Sequence, residues 1–247
     1  MLLNKAIMKL KTAILSLLVV TSVISCRKKP PTPKVIYEDL TVETSSTVKD
    51  TSSIKIADLP ILIEGTDVLI HPIGDLRFLG TYSRSYGSSK TNEVSYSLSN
   101  FNRFELTGYF QNIKFQHKDS TSLKPLLNKE AQINSATFLD EFANKTAKKI
   151  LVYTMVDADT NRDKKIDQND IKSLYISAID GSGLMKLSKE YQELIDWSYI
   201  SKPHRIYFRC LEDINKNGAF DQEDKVHYYY LNLLSSNASP EEYFPID

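Results

Sequence analysis

The sequence predicts an all-β domain, and three observations carry that prediction. Apolar residues fall in short runs rich in Ile, Val, Tyr and Phe, bounded by Gly, Asn, Asp or Pro, which is the pattern of strands and turns. Apolar residues at helical spacing point to one helix, over 136–144, where Phe138, Leu139, Phe142 and Ala143 share a face. The chain also repeats itself: strand, acidic loop and strand recur 54 residues apart.

The first 25 residues stand outside that domain. Lys5, Lys9 and Lys11 make a basic n-region ahead of an apolar stretch, 13–24, that is too short to span a bilayer. Val23-Ile24-Ser25-Cys26 resembles a bacterial lipobox. The resemblance implies a lipoprotein signal peptide over 1–25, with Cys26 acylated, palmitate included, as the mature N-terminus. Lipid chains anchor rather than span, each buried methylene contributing about 0.8 kcal/mol. Arg27 follows where inner-membrane retention would place Asp, so the expected location is the cell envelope at the outer membrane, on its periplasmic or surface face. Residues 26–57 read as the lipidated Cys and a flexible tether. Pro30-Pro31-Thr32-Pro33 favours extended backbone, and 44–53 is rich in Ser, Thr and charge.

The β-repeat domain is expected over 58–247, long enough for a sizeable core. Strands are expected at 60–64, 67–72, 76–82, 103–109, 112–117, 149–156, 174–179, 193–200, 205–211 and 226–231. Shifting the chain by 54 aligns Val152-Tyr153 with Ile206-Tyr207 without a gap, Asp159 with Asp213, and Tyr175-Ile176 with Tyr229-Tyr230. Without its twelve-residue loop the repeat falls in the roughly 40–45-residue range of a four-stranded propeller blade. Leu174 to Ser188, with Asp180-Gly181-Ser182-Gly183 at its turn, resembles the last two strands of TolB-type propeller repeats. Trp197-Ser198 followed by Arg205-Ile206-Tyr207-Phe208 resembles the first two strands of the next. The segment 112–127 looks like a weaker copy. The resemblance implies β-propeller-like repeats of about three to four blades, open or incomplete, because few residues remain for a ring. A β-sandwich is the alternative.

The acidic loops, 159–170 and 213–224, carry the chemistry. Both put oxygen side chains at positions 1, 3, 5, 9 and 12 and an apolar residue, Ile166 or Phe220, at position 8. A hard cation such as Ca2+ takes six to eight oxygens, and this spacing supplies them from one turn. The loops resemble EF-hand loops, and especially dockerin-type ones, though strands flank them. The resemblance implies side-chain ligands Asp159, Asn161, Asp163 and Asp170, with the carbonyl of Lys165 and with Asp167 binding directly or through water. In the second loop the same roles fall to Asp213, Asn215, Asn217 and Asp224, the carbonyl of Ala219, and Asp221. Ile166 and Phe220 are expected to point inward. Position 6 requires positive φ, free for Gly218 and costing about 1–2 kcal/mol at Lys164. Charge favours the first loop and backbone geometry the second. Extracytoplasmic calcium modules bind at roughly 10⁻⁴–10⁻³ M, which suits constitutive occupancy rather than sensing.

Other chemistry finds little support. The formal charge is 0, and removing the three signal lysines leaves −3 with no concentrated basic face, which argues against a nucleic-acid partner. No HExxH, GxSxG, phosphate loop or CxxC occurs, and no catalytic residue is assigned. His117-Lys118-Asp119-Ser120 reads as a polar turn and Cys210 as a small buried hydrophobe. The expected function is an envelope lipoprotein carrying a calcium-stabilised, non-enzymatic interaction module for a protein or glycan partner. The alternatives are a hydrolase of envelope polysaccharide or peptide, which needs a deep pocket with facing carboxylates, and a calcium-responsive regulator.

Overall fold

The computed structural model describes residues 33–37, 53–77, 98–235 and 238–246. The expected signal segment, Cys26, most of the expected tether and the end of the strand expected at 76–82 lie outside the described residues. The fold is all-β: three antiparallel sheets, none closed on itself, with one helix among the described residues. No helix among them is long and apolar enough to cross a membrane.

Sheet A is built from β1 (Ser53–Ala57), β2 (Ile61–Leu62), β3 (Val68–Arg77), β6 (Asn112–His117) and β7 (Lys124–Pro125), in the order β1-β3-β6-β7 with β2 also on β3. Pro72, where the sequence predicts the end of a strand, instead lies inside β3. It falls where pairing passes from β2 to β1, a position that tolerates a missing amide donor. Sheet B contains β4 (Ser99–Asn102), β5 (Glu105–Phe110), β8 (Gln132–Phe138), β9 (Ile150–Val156), β10 (Lys172–Ala178) and β11 (Met185–Lys186). Their order across the sheet is β11-β10-β9-β8-β5-β4. Sheet C is a meander of β12 (Gln192–Ile200), β13 (Arg205–Glu212), β14 (Lys225–Asn232) and β15 (Glu241–Tyr243). Gln111 alone separates β5 of sheet B from β6 of sheet A.

Two apolar cores separate three layers. Ile70, Ile113 and Phe115 of sheet A meet Phe110, Ile133, Leu151, Tyr153 and Met155 of sheet B. The other face of sheet B, through Val152, Leu174 and Ile176, meets Ile206, Phe208, Cys210, Tyr229 and Leu231 of sheet C. A strand covered on both faces needs a continuous apolar run, and β9 (ILVYTMV) has one. Strands β13 and β14 bury one face only and alternate accordingly.

The helix is displaced from its expected place. Residues 136–138 belong to β8, and α1 spans Asp140–Thr146. A bulge between Ile133 and Ser135 interrupts the alternation that would have marked the strand. Asp140 and Glu141 in the first turn and Lys145 in the last suit the helix dipole, and Phe142, fully buried, anchors the helix in the second core.

The repeat is present with one correction. Tyr153 pairs with Tyr175 across β9–β10, whereas Tyr229, 54 residues after Tyr175, pairs with Phe208 rather than Tyr207. The first strands therefore correspond at 55 residues and the loops at 54, so the ungapped alignment of Val152-Tyr153 with Ile206-Tyr207 is off by one. A one-residue slip in a strand exchanges its faces, and the packing detects it where composition does not. The additional residue lies between β9 and Asp159. The ladder β13–β14 runs to Glu212 and Lys225, the residues flanking the second loop, whereas β9–β10 closes at Val156 and Lys172 and leaves the first loop on a looser base.

Candidate metal-binding loops

Both loops fold through the same set of side-chain-to-amide hydrogen bonds, position for position. The carboxylate at position 1 accepts the amides of positions 5 and 6: Asp159 from Asp163 (3.1 Å) and Lys164 (2.8 Å), Asp213 from Asn217 (3.2 Å) and Gly218 (2.7 Å). Position 3 accepts from position 5 at 2.9 Å in each loop, Asn161 in one and Asn215 in the other. Position 5 accepts from position 7, position 9 from position 11, and position 12 from position 9, through Asp163, Asp167 and Asp170 or Asn217, Asp221 and Asp224. Asp and Asn fold loops this way because their short polar side chains reach amides a few residues to either side. Positive φ occurs at position 4, Arg162 and Lys216, and at position 6, Lys164 (68°) and Gly218 (81°). The requirement at position 6 is legible in the sequence; that at position 4 is not.

The loops differ at position 12. Oδ1 of Asp170 accepts the amides of Thr160 (2.7 Å) and Asn161 (3.1 Å) while Oδ2 takes that of Asp167. Burial raises the Asp170 carboxyl above its usual value, with Asp159 adding to the rise and those three amides opposing it. In the second loop Oδ2 of Asp224 takes the Asp221 amide, but Oδ1 is buried with no partner among the described residues. A buried carboxylate oxygen without a donor is costly, and a cation would satisfy it. Asp213, also buried, and Gly218 complete the case that the second loop fits a hard cation better than the first. Among the described residues no group of three or more His, Cys, Asp or Glu side chains gathers as a metal centre. The carboxylates are turned toward the loops' own amides. Neither Ile166 nor Phe220 enters a core, contrary to expectation; both are half-buried, and the buried apolar residues beside them are Ile171 and Ala219.

Nothing in the composition of residues 33–37, within the expected tether, signals that they lie across both loops. The amides of Lys34 (2.6 Å) and Val35 (3.1 Å) donate to the Gly218 carbonyl, and that of Ile36 (3.0 Å) to the Thr160 carbonyl. Thr160 Oγ1 donates to the Lys34 carbonyl at 2.7 Å, and Lys34 Nζ pairs with Glu193 at 3.0 Å. Val35 is 2% exposed. Burial and the charge of Asp213 raise the Tyr37 hydroxyl, and its ring lies 5.8 Å from that of Tyr191.

Asp157, between β9 and the first loop, takes a structural role. It accepts the Tyr175 hydroxyl (2.8 Å) and pairs with Lys129 (3.1 Å) and Lys186 (3.4 Å). Burial opposes its ionisation, yet Lys186, Tyr175 and Lys129 outweigh burial and hold the carboxyl below its usual value. A carboxyl depressed in the folded state adds stability above its unfolded pKa, and the contribution fades as pH falls through the folded value. Asp157→Asn should therefore destabilise by about 1–3 kcal/mol near neutral pH, with the difference from wild type shrinking in acid, read by urea melts at pH 7 and pH 3. An equal difference at both pH values would discard this account.

The remaining candidates behave as structure. Cys210 is fully buried, and desolvation pushes its thiol up to about 12, away from reactivity. The segment from His117 to Ser120 is a turn in which the Ser120 amide donates to the His117 carbonyl and Lys118 pairs with Asp67. His227 lies 2.6 Å from carboxylate oxygens of both Glu212 and Glu242, which ties β15 to β14. An open hollow of about 380 Å³ carries Phe104, Glu105, Asp140, Glu141, Trp197 and Tyr199. A hydrogen bond from Lys145 holds the Glu141 carboxyl below its usual value, the reverse of what a proton donor in glycoside hydrolysis needs.

No known family, characterised protein or solved structure matches the chain. Its own geometry therefore carries the functional reading.

Proposed function

We propose that this chain is an envelope lipoprotein, anchored through Cys26, whose β-repeat domain is a calcium-stabilised, non-enzymatic interaction module. The supporting observation is the shared hydrogen-bond pattern of the two loops, joined to the buried Oδ1 of Asp224, which has no partner among the described residues. In this reading β8–β11 and β12–β15, each a meander stacked on the next, are successive blades of an open propeller-like array. Calcium acts as a staple in place of disulfides, with the second loop the tighter site. A protein or glycan partner would meet the outer face of sheet C. There Tyr207, Tyr230 and Tyr243 pack together, with the Arg205 guanidinium 4.2 Å from the centre of the Tyr230 ring. Aromatic residues and Arg are enriched at interaction surfaces.

Thermal unfolding with calcium and with EDTA tests the reading. Calcium at a hundred times its dissociation constant should add about 2.7 kcal/mol, and a domain of this size gains roughly 2–4 °C for each. Asp213→Ala should abolish most of the shift and Asp159→Ala little of it. An identical melting curve in calcium and EDTA sinks the proposal.

A further inference from the structure

We propose that residues 33–37 are a strap over the paired loops, and that strap docking and metal binding at the second loop stabilise each other. The metal half rests on the function proposed above; the strap half rests on contacts alone. Gly218 joins the two. Its amide donates to Oδ2 of Asp213, a residue that would hold the cation, while its carbonyl receives the amides of both Lys34 and Val35. A Cβ at this position would collide with the Val35 carbonyl oxygen, so the strap sits where only glycine leaves room. The strap also bridges to the first loop through Thr160, whose carbonyl accepts from Ile36 and whose hydroxyl donates to the Lys34 carbonyl. One short segment thus fastens two loops that the whole of 171–212 separates in sequence.

A cation drawing Asp213 and Asp224 together fixes the loop that presents the Gly218 carbonyl and so favours the docked strap. The docked strap in turn fixes Gly218 and, through it, Asp213. Such coupling is reciprocal by thermodynamic necessity. The consequence is a switchable attachment: with the metal bound, residues 33–37 are part of the folded domain, and without it they are freed.

The test uses the full chain in detergent micelles. Trypsin can cut the Lys34–Val35 bond only when the strap leaves its seat, so cleavage there, read by mass spectrometry, reports docking. EDTA should speed this cut about tenfold relative to calcium, and Asp224→Asn should be cut at the faster rate in both. By reciprocity, Val35→Asp should weaken calcium binding to the second loop about fivefold to tenfold in a calorimetric titration. Should Val35→Asp fail to fold, cleavage of the wild-type chain decides. Calcium binding with an unchanged rate of cleavage at Lys34–Val35 overturns the coupling and leaves the calcium reading standing. The absence of any calcium binding overturns both.

Discussion

Replacing Phe142 by alanine should destabilise the domain by about 3–5 kcal/mol, the upper range for a single core truncation. Phe142 is the fully buried side chain of α1, a helix of seven residues. A helix that short has no stability of its own in water, so it persists because its one deep anchor is held. The ring stands edge-on to Tyr199 at 6.0 Å and to His204 at 5.7 Å, and it belongs to the core shared by sheets B and C. Truncation opens a cavity between two sheets that cannot both collapse inward. The melting midpoint should fall by roughly 10 °C, whereas Asn144→Ala, on the exposed side of the same helix, should change stability by less than about 0.5 kcal/mol. Equal effects of the two substitutions would show that α1 is not anchored through Phe142.

The second large effect is expected at Gly181. Gly181 and Gly183 both adopt positive φ, 78° and 65°, in the turn between β10 and β11. Alanine at either position should cost about 1–2 kcal/mol in backbone strain. A Cβ on Gly183 meets nothing within 4 Å, but one on Gly181 runs into the Phe115 ring, a buried group of the first core. Overpacking adds about 1–3 kcal/mol, so Gly181→Ala should be clearly the worse of the pair. Their difference, measured by denaturant unfolding, isolates the packing term. Indistinguishable variants would mean that Phe115 moves aside freely.

Much of this architecture is legible in the sequence, for physical reasons that also explain the failures. Strands β6, β9, β13 and β14 announce themselves by an apolar run or by alternation, the marks of burial on two faces or one. The end of β8 resembles the start of a helix because its bulge puts Ile133, Ala136 and Phe138 out of step. The two-residue β11 and the three-residue β15 are too short to carry a period. The loops themselves are legible because their pattern is local: Asp and Asn recur at fixed spacing within twelve residues. The strap is invisible because its composition is that of a linker, and what holds it, Gly218 and Thr160, lies far along the chain. The sequence does not rank the two loops. The deciding atom, Asp224 Oδ1, differs from its counterpart in what surrounds it rather than in its identity.

The chain leaves sheet B at Phe110 and enters sheet A at Asn112, with Gln111 alone between, its amide held by the Ile73 carbonyl at 2.7 Å. One residue provides no slack, so sheets A and B cannot open as independent units; parting one strips a strand from the other. Sheet C joins sheet B in sequence only through the turn after β11 and can fray from the stack. Cooperativity is therefore uneven, with a two-sheet block at one end and a separable layer at the other. The acidic loops and the strap lie where those two units meet, so a cation bound there would act chiefly on whether the third layer stays with the rest.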